Sequence, residues 1–176
     1  MEKFATIGMI VCALIIGFLL GFLLFGQKTA TETEFYMQYP EHIPTAQEQE
    51  MFDAVNAVRA EAGVPPVRYD GSVYVCTSLR TDEIYLSHSH ERDGGRRAFT
   101  VLEDFRIDQS GWAHYAENIG GGTIDVAEAM DGLMNSEKHR TNMLNPDYTA
   151  VCICIRTDEN GLLYFTQHFF QEIPEE

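Results

Sequence analysis

Two histidines and a glutamate, far apart in the chain, have the side-chain types for metal or proton chemistry. They are His90 in Ser89-His90-Glu91-Arg92-Asp93-Gly94, Glu117 in Tyr115-Ala116-Glu117-Asn118-Ile119-Gly120, and His139 in Asn135-Ser136-Glu137-Lys138-His139-Arg140-Thr141-Asn142-Met143-Leu144. Imidazole is the commonest protein ligand for zinc and the natural proton carrier near neutral pH. A carboxylate in a semi-apolar stretch needs a partner, and beside histidines it can orient them or activate water. Asn118 reads as a residue that fixes its loop through amide hydrogen bonds. Ser136 reads either as a hydrogen-bonding group in the cleft or as a helix-ending serine. In a fourth segment, Tyr164-Phe165-Thr166-Gln167-His168-Phe169, His168 ranks with His114 as a packing or hydrogen-bonded histidine, while His88 extends a polar rim and His42 falls in a linker. Each segment lies beside turn residues, so distant pieces can converge on one cleft.

Other chemistries lack their signatures. The chain has no HExxH, G-x-S-x-G, P-loop or CxxC pattern, so the standard protease, hydrolase and nucleotide-binding motifs are missing. No nucleophile stands out, and catalysis would rest on an activated water. The formal charge of −15 argues against nucleic acid and anionic lipid headgroups, both of which reward clustered Lys and Arg. Of the four cysteines, Cys12 falls in an apolar run, leaving Cys76, Cys152 and Cys154 for the domain. Cys152 and Cys154 alternate on a strand pattern and share a face. The three are expected to be buried thiols, the alternative being a bridge from Cys76 to that strand.

The length of 176 residues and 45% apolar content fit a single packed domain with an appendage. The appendage is the uncharged run Phe4 to Phe25, long enough to cross a hydrocarbon core of about 30 Å. It is expected to be a transmembrane anchor rather than a cleaved signal, since its apolar stretch is long and no clear small-x-small site follows. Residues 26–44 are expected to form a stalk, 45–171 the domain and 172–176 an acidic tail. Thr45-Ala46-Gln47-Glu48 is a capping-box pattern, opening a helix through Met51, Phe52, Val55, Val58 and Ala62 that stops at Gly63. Asp70 can cap a second helix, with Val73, Cys76, Leu79, Ile84 and Leu86 leading toward His88 and His90. Thr100-Val101-Leu102-Glu103 predicts a short helix to about Phe105, and Thr123 opens another through Val126, Met130, Leu133 and Met134. Between them a Gly-rich loop is expected to hold Glu117. After Asn145-Pro146 the pattern turns to period two, predicting strands over Thr149–Thr157 and Leu162–Phe170 joined by the turn Asp158-Glu159-Asn160-Gly161. Helices followed by a hairpin predict an α+β sandwich with helices on an antiparallel sheet.

The segments in this order resemble the CAP superfamily, or SCP domain, named for cysteine-rich secretory proteins, antigen 5 and pathogenesis-related 1 proteins, and most nearly its bacterial members. The resemblance runs from about Gln47 to Phe170 and includes Val55-Asn56 through Arg59, Gly63-Val64-Pro65-Pro66-Val67 and Arg80 through Ile84 as well as the motifs above. It implies an α-β-α sandwich whose cleft is lined by His90, His139 and Glu117. The second acid of the animal and plant pattern falls at Ser136, and the disulfides of eukaryotic relatives are unmatched. It implies zinc on His90 and His139 in some members' fashion. Three functions follow as expectations: a membrane-anchored module outside the cell, or one secreted after cleavage, whose cleft binds a lipid, glycan or peptide; a zinc-dependent hydrolase with Glu117 as base; or a non-catalytic surface interaction domain.

Overall fold

The structure, a computed structural model, describes residues 36–174. The expected anchor Phe4–Phe25 lies outside them, and among the described residues no helix is long and apolar enough to cross a membrane. The capping box at Thr45 forms in both directions, Glu48 N–H donating to Thr45 Oγ1 and Thr45 N–H to Glu48 Oε2, and starts helix α1, Ala46–Glu61. The helix ends where Gly63 takes a left-handed conformation at φ 71°. The buried Glu48 carboxylate also accepts from Tyr74 Oη and from the Ile155 amide, so one cap ties the helix to its neighbours. His42 bonds the same carboxylate and stacks on Tyr74 with ring centroids 3.4 Å apart, which fastens the segment ahead of α1.

Strand β1 (Arg68–Tyr69) leads through Asp70, whose side chain caps a 3-10 turn, into α2 (Tyr74–Leu86). A small ribbon, β2 (Glu91–Arg92) with β3 (Arg96–Arg97), precedes α3 (Thr100–Asp104). The residue capping α3 is Phe99, with no side-chain bond, because the Thr100 hydroxyl donates back to Arg97 O and forms no capping box. Helices α4 (Val126–Asn135) and α5 (Glu137–Met143) follow, with Asp125 rather than Thr123 capping α4. The C-terminal hairpin is β5 (Ala150–Thr157) and β6 (Leu163–Glu172), its turn held by Asp158 Oδ1 accepting from the Asn160 and Leu162 amides.

The expected loop around Glu117 is instead a strand, β4 (Trp112–Thr123), paired antiparallel with β6 along its length. Its glycines belong to the sheet. A Cβ on Gly120 would fall 2.1 Å from the Phe165 ring and one on Gly121 2.3 Å from Tyr164, so these aromatics lie directly across the bare backbone. The sheet runs β1-β5-β6-β4, and it is mixed rather than antiparallel because β1 pairs parallel with β5.

Helices cover both faces. Val151, Ile153, Ile155, Phe165 and Phe169 meet Met51, Val55, Met130 and Leu133 of α1 and α4 on one side. Ala150, Cys152 and Phe170 meet Cys76, Val101 and Leu102 of the α2–α3 layer on the other. This is the expected α-β-α sandwich. Cys76, Cys152 and Cys154 are free and buried in it, so the bridge alternative is discarded. Burial pushes the Cys76 thiol up to about 12 and raises Cys152 and Cys154 as well, which suppresses the reactive thiolate. Accordingly, alkylation mapped by peptide mass spectrometry should leave all three unlabelled in the native chain and label them in denaturant. Labelling of any of them without denaturant would contradict this burial.

Candidate functional site

The site forms where the two helical layers meet at the sheet edge. β4 is an edge strand, and its successive residues Glu117 and Asn118 point to opposite faces. Glu117 sits opposite His168 on β6 and faces α2, whereas Asn118 sits opposite Gln167 and faces α5.

Glu117 is 3% exposed at its side chain and its oxygens take four bonds. Oε1 accepts from His90 Nδ1 at 2.9 Å and Arg80 Nη2 at 3.0 Å; Oε2 accepts from Arg80 Nε at 2.8 Å and His168 Nε2 at 3.1 Å. Burial alone would push its pKa up, but the bonds from His168, His90 and Arg80 outweigh it and hold the carboxyl well below the usual range. His168 is fully buried, with Nδ1 3.0 Å from the Thr77 hydroxyl, which makes it a brace for the carboxylate.

On the other face Asn118 Nδ2 donates to His139 O at 3.2 Å and to Gln167 Oε1 at 3.1 Å, and its Oδ1 accepts from Asn142 Nδ2 at 2.8 Å. Asn118 is fully buried beneath the cleft and works by amide bonds, on a strand instead of a loop. Ser136 stands half-buried at the junction of α4 and α5, its carbonyl accepting the Arg140 amide.

The sheet edge thus brings His90 and His139 together, with ring centroids 6.5 Å apart and planes at 56°. They line an open cleft of about 590 Å³ with Glu117, Glu137, Lys138, Thr141 and Asn142. Neither Ser136 nor Asn118 is among these lining residues. Burial, with the neighbouring His90, His88 and Lys138, lowers the proton affinity of His139 below that of a free imidazole.

The donor set can be matched to zinc by its chemistry. Glu117 receives the Nδ1 side of His90, the arrangement in which a carboxylate orients a metal-binding imidazole and leaves Nε2 outward. His139 supplies a second ring, whose affinity for a proton is lowered. Among the described residues no three or more His, Cys, Asp or Glu are grouped to hold a metal ion. The donor set therefore fits an open two-nitrogen site, with other positions left to water or ligand, and not a closed structural one.

The roles of Arg80, Thr77 and His168 in the site escaped the sequence reading. A signal was available in Arg80, which sits in phase with Cys76 and Ile84 on the apolar stripe of α2 and is fully buried.

Comparison with known proteins places these observations among relatives. The family model described as the cysteine-rich secretory protein family, CAP, matches residues 52–169. The chain is 26% identical over 133 residues to the uncharacterized membrane protein YlbC of Bacillus subtilis, covering 73% of this chain and 36% of that protein. It is 28% identical over 127 residues to the uncharacterized protein YkwD of the same organism, covering 70% of this chain and 47% of that one. The chain thus spans between a third and a half of the length of these relatives. Its fold is similar to an extracellular SCP-domain protein from Bacillus anthracis, with TM-score 0.62 and 23% identity over 72% of this chain and 40% of that one. It is also similar to an outer surface protein from Borrelia burgdorferi, with TM-score 0.63 and 14% identity over 76% of this chain and 99% of that one.

Proposed function

Since the chain belongs to the CAP family, the cysteine-rich secretory protein family, we propose that it is a binding module of the cell envelope whose ligand sits between His90 and His139. One observation carries this: an open cleft of about 590 Å³ faced by two imidazoles from different layers of the fold. That volume lies within the roughly 300–1,000 Å³ of small-molecule sites. An envelope location is supported by the apolar run Phe4–Phe25, by the membrane designation of the Bacillus subtilis relative and by the extracellular designation of the Bacillus anthracis structure. The run would anchor the module with its acidic domain outside the cell, or leave it secreted if cleaved. The ligand classes are a lipid, a glycan or a peptide.

His90 and His139 would hold a zinc ion, which when bound supplies a Lewis acid that polarises a ligand oxygen or lowers the pKa of a water. In the hydrolase alternative Glu117 is a poor base, because its oxygens are fully occupied and its proton affinity is depressed. A proton would be taken by an imidazole instead.

The test is native mass spectrometry of the full-length chain in detergent micelles, after incubation with envelope lipid, glycan and peptide pools, beside His139→Trp, which fills the cleft. The native chain should retain an adduct that the variant loses; equal retention by both would remove the cleft from the reading. Calorimetric zinc titration at pH 7.5, with the His90→Ala and His139→Ala double variant, should give a single equivalent that the variant lacks. Absence of zinc binding to the native chain would reduce the proposal to a metal-free cleft.

A further inference from the structure

We propose that Arg80 is the positioning residue that sets the place and the tautomer of His90. The inference deepens the cleft reading and rests on it only for the use made of the exposed ring nitrogen.

His90 lies in a segment that hydrophobic packing cannot locate. From Ser87 to Arg97 there is no apolar side chain, and the buried side chain in it is Arg92. Arg92 is itself held by charge, through Glu83 at 2.8 Å and Asp104 at 2.8 Å. The His90 side chain is 57% exposed, so its ring has little surface to rest on. Hydrogen bonds must therefore do the placing, and they converge on one guanidinium.

Arg80 is fully buried, and its Nη2 donates to the Ser89 carbonyl at 3.0 Å, the peptide group that leads into His90. Its Nε and Nη2 also take both oxygens of Glu117 as a fork, and Nη1 bonds Glu83. The same cation thus holds the backbone before His90 and the carboxylate that meets its ring. An ionised carboxylate only accepts, so the His90 nitrogen at 2.9 Å from Glu117 Oε1 must carry hydrogen. In the neutral ring this places the proton on Nδ1 and the lone pair on Nε2, on the side of the cleft. Lysine has the charge of arginine but no planar fork, so it cannot serve the carbonyl and both carboxylate oxygens together.

The experiment uses the full-length chain in detergent micelles, metal-free, with 15N-labelled histidine and arginine, at a pH above the imidazole range. Imidazole nitrogen–proton correlations should show His90 predominantly as the Nδ1–H tautomer, and the Arg80 Nε–H should be protected from solvent exchange. In Arg80→Lys the Nδ1–H form should fall to a minority, and zinc affinity by calorimetry should drop about 10- to 100-fold, as for loss of groups that orient a metal-binding histidine. A folded Arg80→Lys with unchanged tautomer and zinc affinity overturns the proposal. Should the variant fail to fold, the native chain still decides: a dominant Nε2–H form of His90, or a freely exchanging Arg80 Nε–H, overturns it. If native protein binds no zinc, the metal reading falls while the tautomer result continues to judge Arg80.

Discussion

Replacing Arg59 with alanine is expected to destabilise the domain by about 2–6 kcal/mol, taking about 1–3 kcal/mol for each of the two buried carbonyls, of Met143 and Tyr148, left unpaired. Arg59 is fully buried on α1 and donates to four carbonyls: Pro65 at 2.7 Å, Met143 at 2.7 Å, Asn145 at 2.9 Å and Tyr148 at 3.0 Å. Met143 is the last residue of α5, so the guanidinium also places a cation at the C-terminus of that helix and satisfies a carbonyl its own turns cannot. A loss of this size is a large fraction of the stability of many domains, roughly 5–15 kcal/mol. Urea denaturation of the full-length chain should show it as a large fall in midpoint. Arg59→Lys should recover only part, since an ammonium cannot span four acceptors. A midpoint within about 1 kcal/mol of the native value in Arg59→Ala would refute the role given to these bonds, on the usual scale for a single neutral hydrogen bond.

Glu117→Ala is expected to cost about 3–5 kcal/mol, the range for removing one partner of a buried ion pair. The substitution strands the Arg80 guanidinium with Glu83 and the Ser89 carbonyl, and leaves His168 Nε2 without its acceptor. The pH dependence has a definite sign. The folded-state pKa of Glu117 is depressed below its unfolded value of about 4.3. Its stabilisation is therefore fully present above that unfolded value and is lost as pH falls through the folded one. Stability measured from pH 7 downward should be flat in this component to about pH 5 and then decline in the native chain. Glu117→Gln should start lower and decline less steeply over the acid range. An identical acid slope in both proteins would show that this carboxylate has the same pKa folded and unfolded, and would overturn the depression.

The two arginines also explain what the sequence made legible and what it hid. The α1 cap, the stop at Gly63 and the β5–β6 hairpin follow from local rules, and they formed as expected. β4 was hidden because Gly120 and Gly121 look like loop residues until Phe165 and Tyr164 are known to lie against them. Its inward residue Glu117 is charged, which breaks the apolar alternation that marks a strand. His90, Glu117 and His139 stood out because polar groups in turn-rich segments are conspicuous, and the fold brings them to one edge. The roles of Arg59 and Arg80 were missed because an arginine on a helix is ordinarily solvated. Their position on apolar stripes, in phase with Val55 and Cys76, was the available sign that each is buried and must find acceptors. The bonds they make to distant carbonyls and carboxylates depend on tertiary placement, which no local pattern encodes.

The order of strands gives the cleft a timetable. The two central strands, β5 and β6, come last among the described strands, while β1 and β4 from earlier stretches flank them. A polypeptide still emerging from a ribosome or an export channel has no sheet on which to lay β4. Until β6 arrives, Glu117 lacks His168 and Asn118 lacks Gln167, so the two imidazoles have no common frame. The cleft is thus withheld from every partial chain that lacks β6, and its appearance reports that this strand has been delivered.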